Sequence, residues 1–227
     1  VEFAGDEADE QRRRLQHLDE LMADLGFADA VVEAIEPAAQ ARIWEVRKAG
    51  LNIVMSMKGA GKPVSFIEDC AVPLEHLADY TARLTELFER HGTSGTWYAH
   101  ASVGCLHVRP ILNLKEEKDV HAMRAIAEEA FALVRAFKGA HSGEHGDGLV
   151  RSEFHEAMFG ERLVRAFGEL KRAFDPAGVL NPGKIVDPPR MDDRTLFRYP
   201  PDYRAVPVET ALDWSPWGGV LGATEMC

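Results

Sequence analysis

The chain has 227 residues, 46% of them hydrophobic, and a formal net charge of −11. That is long enough for one large domain with an appendage, and the acidic balance argues against a nucleic-acid partner. No apolar run reaches membrane-span length, the acidic start VEFAGDEADEQ is no signal peptide, and three cysteines without metal-type spacing point to a reducing, cytoplasmic setting.

VEFAG reads as a strand entered mid-fold, so Val1 reads as a point inside a longer chain. Residues 6–25 predict an amphipathic helix with Asp6 as N-cap and Leu15, Leu18, Leu21, Met22 and Leu25 on one face. Residues 28–35 predict a second strand, and 37–50 a helix with Pro37 in its first turn and Gly50 at its end. Gly59 and Gly61 mark a mobile loop. VSFIEDCAVP reads as a strand that Pro73 closes, and residues 73–92 as a helix. GTWYAHASVGCLHVRPILNL gives two β-rich pieces broken at Gly104, and a long helix over 116–138 follows. AHSGEHGDG is a glycine-punctuated loop, two helical stretches run on to Phe174, and FDPAGVLNPGKIVDPP is turn-rich. This order predicts an α+β domain: a mostly antiparallel sheet with helices packed on one face. From Pro188 the chain loses periodicity and reads as an extended connector needing something to pack against.

Two stretches carry chemistry. In HASVGCLH, His100 and His107 would point in opposite directions along an unbroken strand. They converge only if the chain turns between them, which Gly104 permits. Otherwise they are unrelated structural histidines. SGEHGDG offers a third ligand: Gly143 and Gly146 free the backbone around Glu144 and His145. Neighbours in an extended loop point apart, so Glu144 can face a metal while His145 faces a substrate. The plain alternative is a helix-entry loop whose acids cap the helix near Val150. Two histidines and a carboxylate form an open ligand set for a divalent zinc, manganese or iron ion.

HASVGCLH, SGEHGDG, FDPAGVLNPGKI and IWEVRKAG…VSFIEDCAVP, in this order, resemble the C-terminal half of FAD-linked 2-hydroxyacid dehydrogenases of the vanillyl-alcohol oxidase superfamily. The resemblance covers about residues 1–187, leaving 188–227 as connector, and implies an α+β fold with ferredoxin-like elements. The family's first histidine stretch reads H-x-G-D-G-N-x-H; here Ser102, Val103 and Cys105 replace Gly, Asp and Asn, while both histidines keep their spacing. It implies His100, His107 and Glu144 as metal ligands, His145 as the base for the substrate hydroxyl, and Arg47 as partner of the substrate carboxylate. Arg109, where relatives with dicarboxylate substrates carry Asn, suggests a second carboxylate on the substrate, such as 2-hydroxyglutarate. A family lysine is missing near Ile67, and Lys58 or Lys62 is the available substitute.

The reaction implied is oxidation of a small anionic D-2-hydroxyacid to the 2-oxoacid, hydride passing to FAD bound mainly on an N-terminal domain absent from this sequence. Asn181 and Lys184, in LNPGK, would lie near the flavin ring or form a plain turn. WSPWGGVLGATEMC resembles the lead-in to an iron–sulfur domain, with Cys227 opening a run that binds a 4Fe-4S cluster. The resemblance also implies a downstream electron acceptor and a position at most peripheral to a membrane. Two rival readings stand beside it: a metal- and anion-binding module without catalysis, and a metal-dependent hydrolase using the same histidines and glutamate.

Overall fold

The computed structural model describes residues 1–226; Cys227 lies outside the described residues, and with it the expected first cluster ligand. The chain divides into two compact units, Val1–Leu51 and a second from Asn52 onward.

The first unit holds helix α1 (Ala8–Asp24) and most of helix α2 (Pro37–Met55). Pairs one turn apart, such as Arg12 with Asp9 at 2.8 Å, line the exposed side of α1. The N-cap is Glu7, not Asp6, and α2 runs through Gly50 for five further residues. The strands expected over 1–5 and 28–35 are absent, because β-propensity forms a strand only where a neighbouring edge accepts its hydrogen bonds.

In the second unit the strands are β1 (Lys62–Pro63), β2 (Cys70–Ala71), β3 (Gly95–His100) and β4 (Cys105–Leu112). All pair antiparallel, and β4 is central: β3 runs beside it from Gly95↔Pro110 to His100↔Cys105, while β1 and β2 meet it near its two ends. Of the strand expected over 64–73 only β2 forms, β1 lying just before that range. Between them residues 64–69 bulge, held to β4 by Val64 N–H to Pro110 O and Asp69 N–H to Leu106 O, both 2.8 Å.

Helices α3 (Leu77–Arg90) and α4 (Glu117–Ala136) supply the apolar layer. Tyr80, Leu84 and Phe88 from α3 and Met123, Ile126 and Phe131 from α4 form one core with Phe66, Leu106 and Val108. Alternation along β4 sends Leu106 and Val108 into this core and Cys105, His107 and Arg109 to the opposite face. The expected α+β arrangement, an antiparallel sheet with helices on one face, is what the chain adopts.

Short helices α5 (Gly148–Arg151) and α6 (His155–Phe159) lead to α7 (Glu161–Phe174), and α8 spans Val220–Thr224. The stretch after residue 187 is less extended than expected. Met191 is buried in the core, Arg194 pairs with Glu117, and Lys115 reaches Glu225 at 2.5 Å. No helix among the described residues is long and apolar enough to cross a membrane.

Candidate functional site

The site starts with a turn. Residues Ala101–Val103 form one turn of 3-10 helix and Gly104 follows at φ 69°, a left-handed conformation. A Cβ there would strike the carbonyl oxygen of Val72, so the position admits only glycine. The turn sets the register Tyr98↔His107 and His100↔Cys105. Opposed residues share a face, as do residues two apart, so Tyr98, His100, Cys105, His107 and Arg109 project together. The His100 and His107 ring centroids are 5.0 Å apart. The convergence that the sequence made conditional on Gly104 is present.

Asp69, in the bulge, holds the third segment. It is fully buried and left-handed at φ 78°, a conformation aspartate tolerates better than most residues. Its carboxylate oxygens accept the backbone N–H groups of Glu144 and His145, each at 2.8 Å. Ser142 Oγ and Arg151 Nη1 donate to it at 3.2 Å, and its carbonyl takes the Gly143 N–H at 2.8 Å. A Cβ on Gly143 would stand 3.1 Å from that carbonyl oxygen and 3.3 Å from Cys105 Sγ, so a side chain there would press on both. Burial alone would raise the Asp69 carboxyl; the two amides and Arg151 outweigh it and hold it below its usual range.

This clasp overturns one expectation. Glu144 and His145 do not point apart, because consecutive amides turned onto one carboxylate curl the loop. Glu144 Oε1 lies 2.9 Å from His107 Nε2, 3.4 Å from His100 Nε2 and 3.6 Å from His145 Nε2. Three imidazoles meet at one carboxylate oxygen.

His107 is the buried member, its ring stacked between Tyr98 at 4.8 Å and His145 at 5.0 Å. Burial lowers its pKa more than Glu68 and Glu144 raise it, so it stands neutral with a lone pair to offer. Its Nδ1 is buried without an aligned hydrogen-bond partner and faces Glu68 Oε1 at 3.5 Å. A carboxylate behind one ring nitrogen favours the tautomer that leaves Nε2 free for a metal. Asp69, Glu68 and Glu144 carry three negative charges against two on Arg109 and Arg151, which leaves a net charge suited to a cation. The residues whose ligand atoms all come within 4.8 Å of one another are Asp69, His107, Glu144 and His145, a donor set that could hold a divalent ion; the expected ligand His100 is not in that group, its Nε2 lying 3.4 Å from Glu144 Oε1. Burial and then Asp69 push the Cys105 thiol up to about 12.

Arg109 corrects a second expectation. Its Nε and Nη2 donate to the two oxygens of Glu68, both at 2.7 Å, and Nη2 reaches Tyr98 Oη at 3.1 Å. Burial would raise Glu68, but Arg109 outweighs it and keeps it ionised. The guanidinium already has its carboxylate, so the argument for a second substrate carboxylate at this residue fails. Glu68, Asp69 and Arg151 escaped the sequence reading; the one signal was a pair of adjacent acids in an otherwise apolar stretch.

Arg47 lies on α2, in the first unit, whereas every residue of the cluster lies in the second. Asn181 and Lys184 sit on the loop after α7, Lys184 Nζ donating to Pro182 O at 3.4 Å. That loop is anchored by the Ile185 N–H on Ser152 Oγ at 3.1 Å, next to Arg151. Lys62 gives its ammonium to Met57 O at 2.5 Å, and Lys58 reaches Pro216 O at 3.5 Å, so both substitutes for the missing lysine are engaged elsewhere.

An antiparallel hairpin thus presents histidines to a carboxylate loop, with α+β packing behind it. Residues 1–185 match the family described as FAD linked oxidases, C-terminal domain, and the chain belongs to it. It is 41% identical over 198 residues to a D-2-hydroxyglutarate dehydrogenase of Escherichia coli, covering 85% of this chain and 19% of that protein. A D-lactate dehydrogenase of Archaeoglobus fulgidus is 33% identical over 181 residues, covering 80% of this chain and 37% of that protein. The chain thus spans about a fifth of the length of the D-2-hydroxyglutarate dehydrogenases it matches.

Proposed function

We propose that the chain supplies the substrate side of the active site in a flavin-dependent dehydrogenase of D-2-hydroxyacids, with D-2-hydroxyglutarate the first substrate to test. The observation that carries this reading is the meeting of His100, His107 and His145 at Glu144 in a family whose relatives bear such names. When bound, a zinc, manganese or iron ion supplies charge that acidifies a hydroxyl beside it, and FAD supplies a two-electron acceptor.

The chain's own residues do the rest. His100, His107 and Glu144 hold the cation, and Tyr98 and Glu68 fix the plane of the His107 ring. His145, half-exposed, takes the substrate hydroxyl proton at Nε2. Arg47 pairs with the substrate carboxylate as a bidentate donor, and Asn181 and Lys184 turn toward the flavin ring. Arg109 stays with Glu68 and orders the site from behind. A 4Fe-4S cluster, with Cys227 as its first ligand, would supply one-electron transfer toward a downstream acceptor, in a cytoplasmic enzyme at most peripheral to a membrane.

In the complete enzyme, His145→Asn should lower kcat by about 10²–10⁴-fold with little change in KM and full metal content. Unchanged turnover would place the base elsewhere, and lost metal would make His145 a fourth ligand. Product formed without any electron acceptor would overturn the redox reading in favour of hydrolysis.

A further inference from the structure

A second histidine–carboxylate cluster lies outside the site just described, and it stands independently of the proposed activity. His141 Nε2 is 3.2 Å from Asp147 Oδ1, and His155 Nε2 is 2.9 Å from Asp147 Oδ2. One ligand atom from each residue can be chosen with all three within 4.8 Å of one another. Both histidines are closed off from solvent, their side chains 1% and 3% exposed. Around them stand the rings of Phe131, 5.4 Å from His141, and of Phe159 and Phe167, 5.4 and 6.1 Å from His155.

Against burial, which would raise it, the two histidines lie close enough to Asp147 to hold its carboxyl below the usual range, yet most polar atoms here lack an aligned partner. Both ring nitrogens of both histidines, and Asp147 Oδ1, are buried without an aligned hydrogen-bond partner. Among the described residues Asp147 has no lysine or arginine partner; its ion pairs are to the two histidines alone. A carboxylate only 16% exposed, with one oxygen closed off, needs a counter-charge, which here is either a proton on an imidazole or a cation. The geometry separates the two. A hydrogen bond aims an N–H along the line to its acceptor. Ligands of one ion aim at the ion between them, and so stand close together yet misaligned. Tetrahedral bonds of about 2.0–2.1 Å place ligand atoms about 3.3 Å apart. The observed separations of 2.9 and 3.2 Å, without alignment, match that pattern.

We propose that His141, Asp147 and His155 form a second divalent-cation site, of zinc class, that clamps the base of the loop over residues 142–146. His141 precedes that loop and Asp147 follows it, while His155 opens α6. One ion would bind both ends of the loop to a helix, and the phenylalanine shell would keep water from competing for it. Glu144 and His145 would then be positioned from two directions: by Asp69 through their amides, and by the clamp through the ends of their loop.

The test uses the unmodified chain, soaked with Zn²⁺ as crystals and measured at the zinc absorption edge. An anomalous peak is expected among His141, Asp147 and His155, distinct from any peak at His107 and Glu144. In solution, Co²⁺ titration followed by visible absorption and elemental analysis should find about two equivalents per chain. His107→Asn should lose one equivalent and keep the other, and His155→Gln should do the converse. A crystal with zinc only at His107 and Glu144 overturns the proposal, as does a His155→Gln chain that binds as much Co²⁺ as its parent. Should His155→Gln fail to fold, the anomalous map of the parent still decides.

Discussion

The first cluster has a closed tier and an open one. In the closed tier Glu68, Asp69, Arg109 and Arg151 are between 0% and 8% exposed, and each charge meets an opposite one in fixed geometry. In the open tier the side chains of His100, Glu144 and His145 are 45–49% exposed, and they meet one another and the buried His107. Buried charges that lose a partner cost several kcal/mol, whereas half-exposed ones fall back on water. The closed tier should therefore govern stability, and the open tier binding.

The sharpest test of that division is Asp69→Ala. It strands the Arg151 guanidinium and releases the amides of Glu144 and His145. Urea denaturation should show a loss of about 3–5 kcal/mol. A loss below about 1 kcal/mol would mean that the loop is held by something other than this carboxylate.

Arg109→Ala comes next, at about 2–3 kcal/mol, because Glu68 can shed its charge by taking a proton once the guanidinium is gone. In the complete enzyme this variant should affect monocarboxylate and dicarboxylate substrates alike. A selective rise in KM for the dicarboxylate would return Arg109 to the substrate and blur the two tiers.

Acid should weaken the closed tier in a defined direction. Glu68 and Asp69 have carboxyls held below their ordinary values of 4.5 and 3.8. On acidification the unfolded chain takes up these protons first, so their stabilisation is complete above about pH 4.5 and is lost as pH falls through the lower native values. Stability measured on the chelated chain between pH 6 and pH 3 should drop, and the Glu68 share of the drop should vanish in Arg109→Ala. A flat profile would show that neither carboxylate is protected.

The smallest effect on folding belongs to His100→Asn. Stability should move by no more than about 0.5 kcal/mol, while affinity for Zn²⁺ falls at least about tenfold. Equal losses in both measurements would erase the distinction between tiers.

How much of this could be read in the chain follows from the range of the interactions. The turn at Gly104 was legible because a left-handed glycine between two histidines is a local feature, and so was the glycine-flanked Glu144. The Glu68–Arg109 pair was not, since it depends on a bulge across residues 64–69 that only the ladder to β4 creates. The same holds for Asp69, whose carboxylate meets Ser142, Glu144, His145 and Arg151 from 73 to 82 residues away along the chain. His141 and His155 passed unnoticed because Asp147 brings them together from opposite sides of a loop. The strands expected at 1–5 and 28–35 failed for the converse reason: local propensity was there, and an edge to pair with was not.

The two thiols beside the closed tier act as a clock. Cys105 Sγ touches Asp69 Oδ1 at 3.6 Å, and Cys70 Sγ touches the His141 carbonyl at 3.8 Å. Burial drives Cys70 to about 11 and, with Asp69 adding to it, Cys105 to about 12. Neither offers a thiolate to a reagent in the native state near neutral pH. An alkylating dye can mark them only during moments when the tier comes apart, so the labelling rate counts those openings. Added Zn²⁺ should slow that count if the ion holds the tier shut, giving a readout of site integrity that needs neither flavin nor substrate.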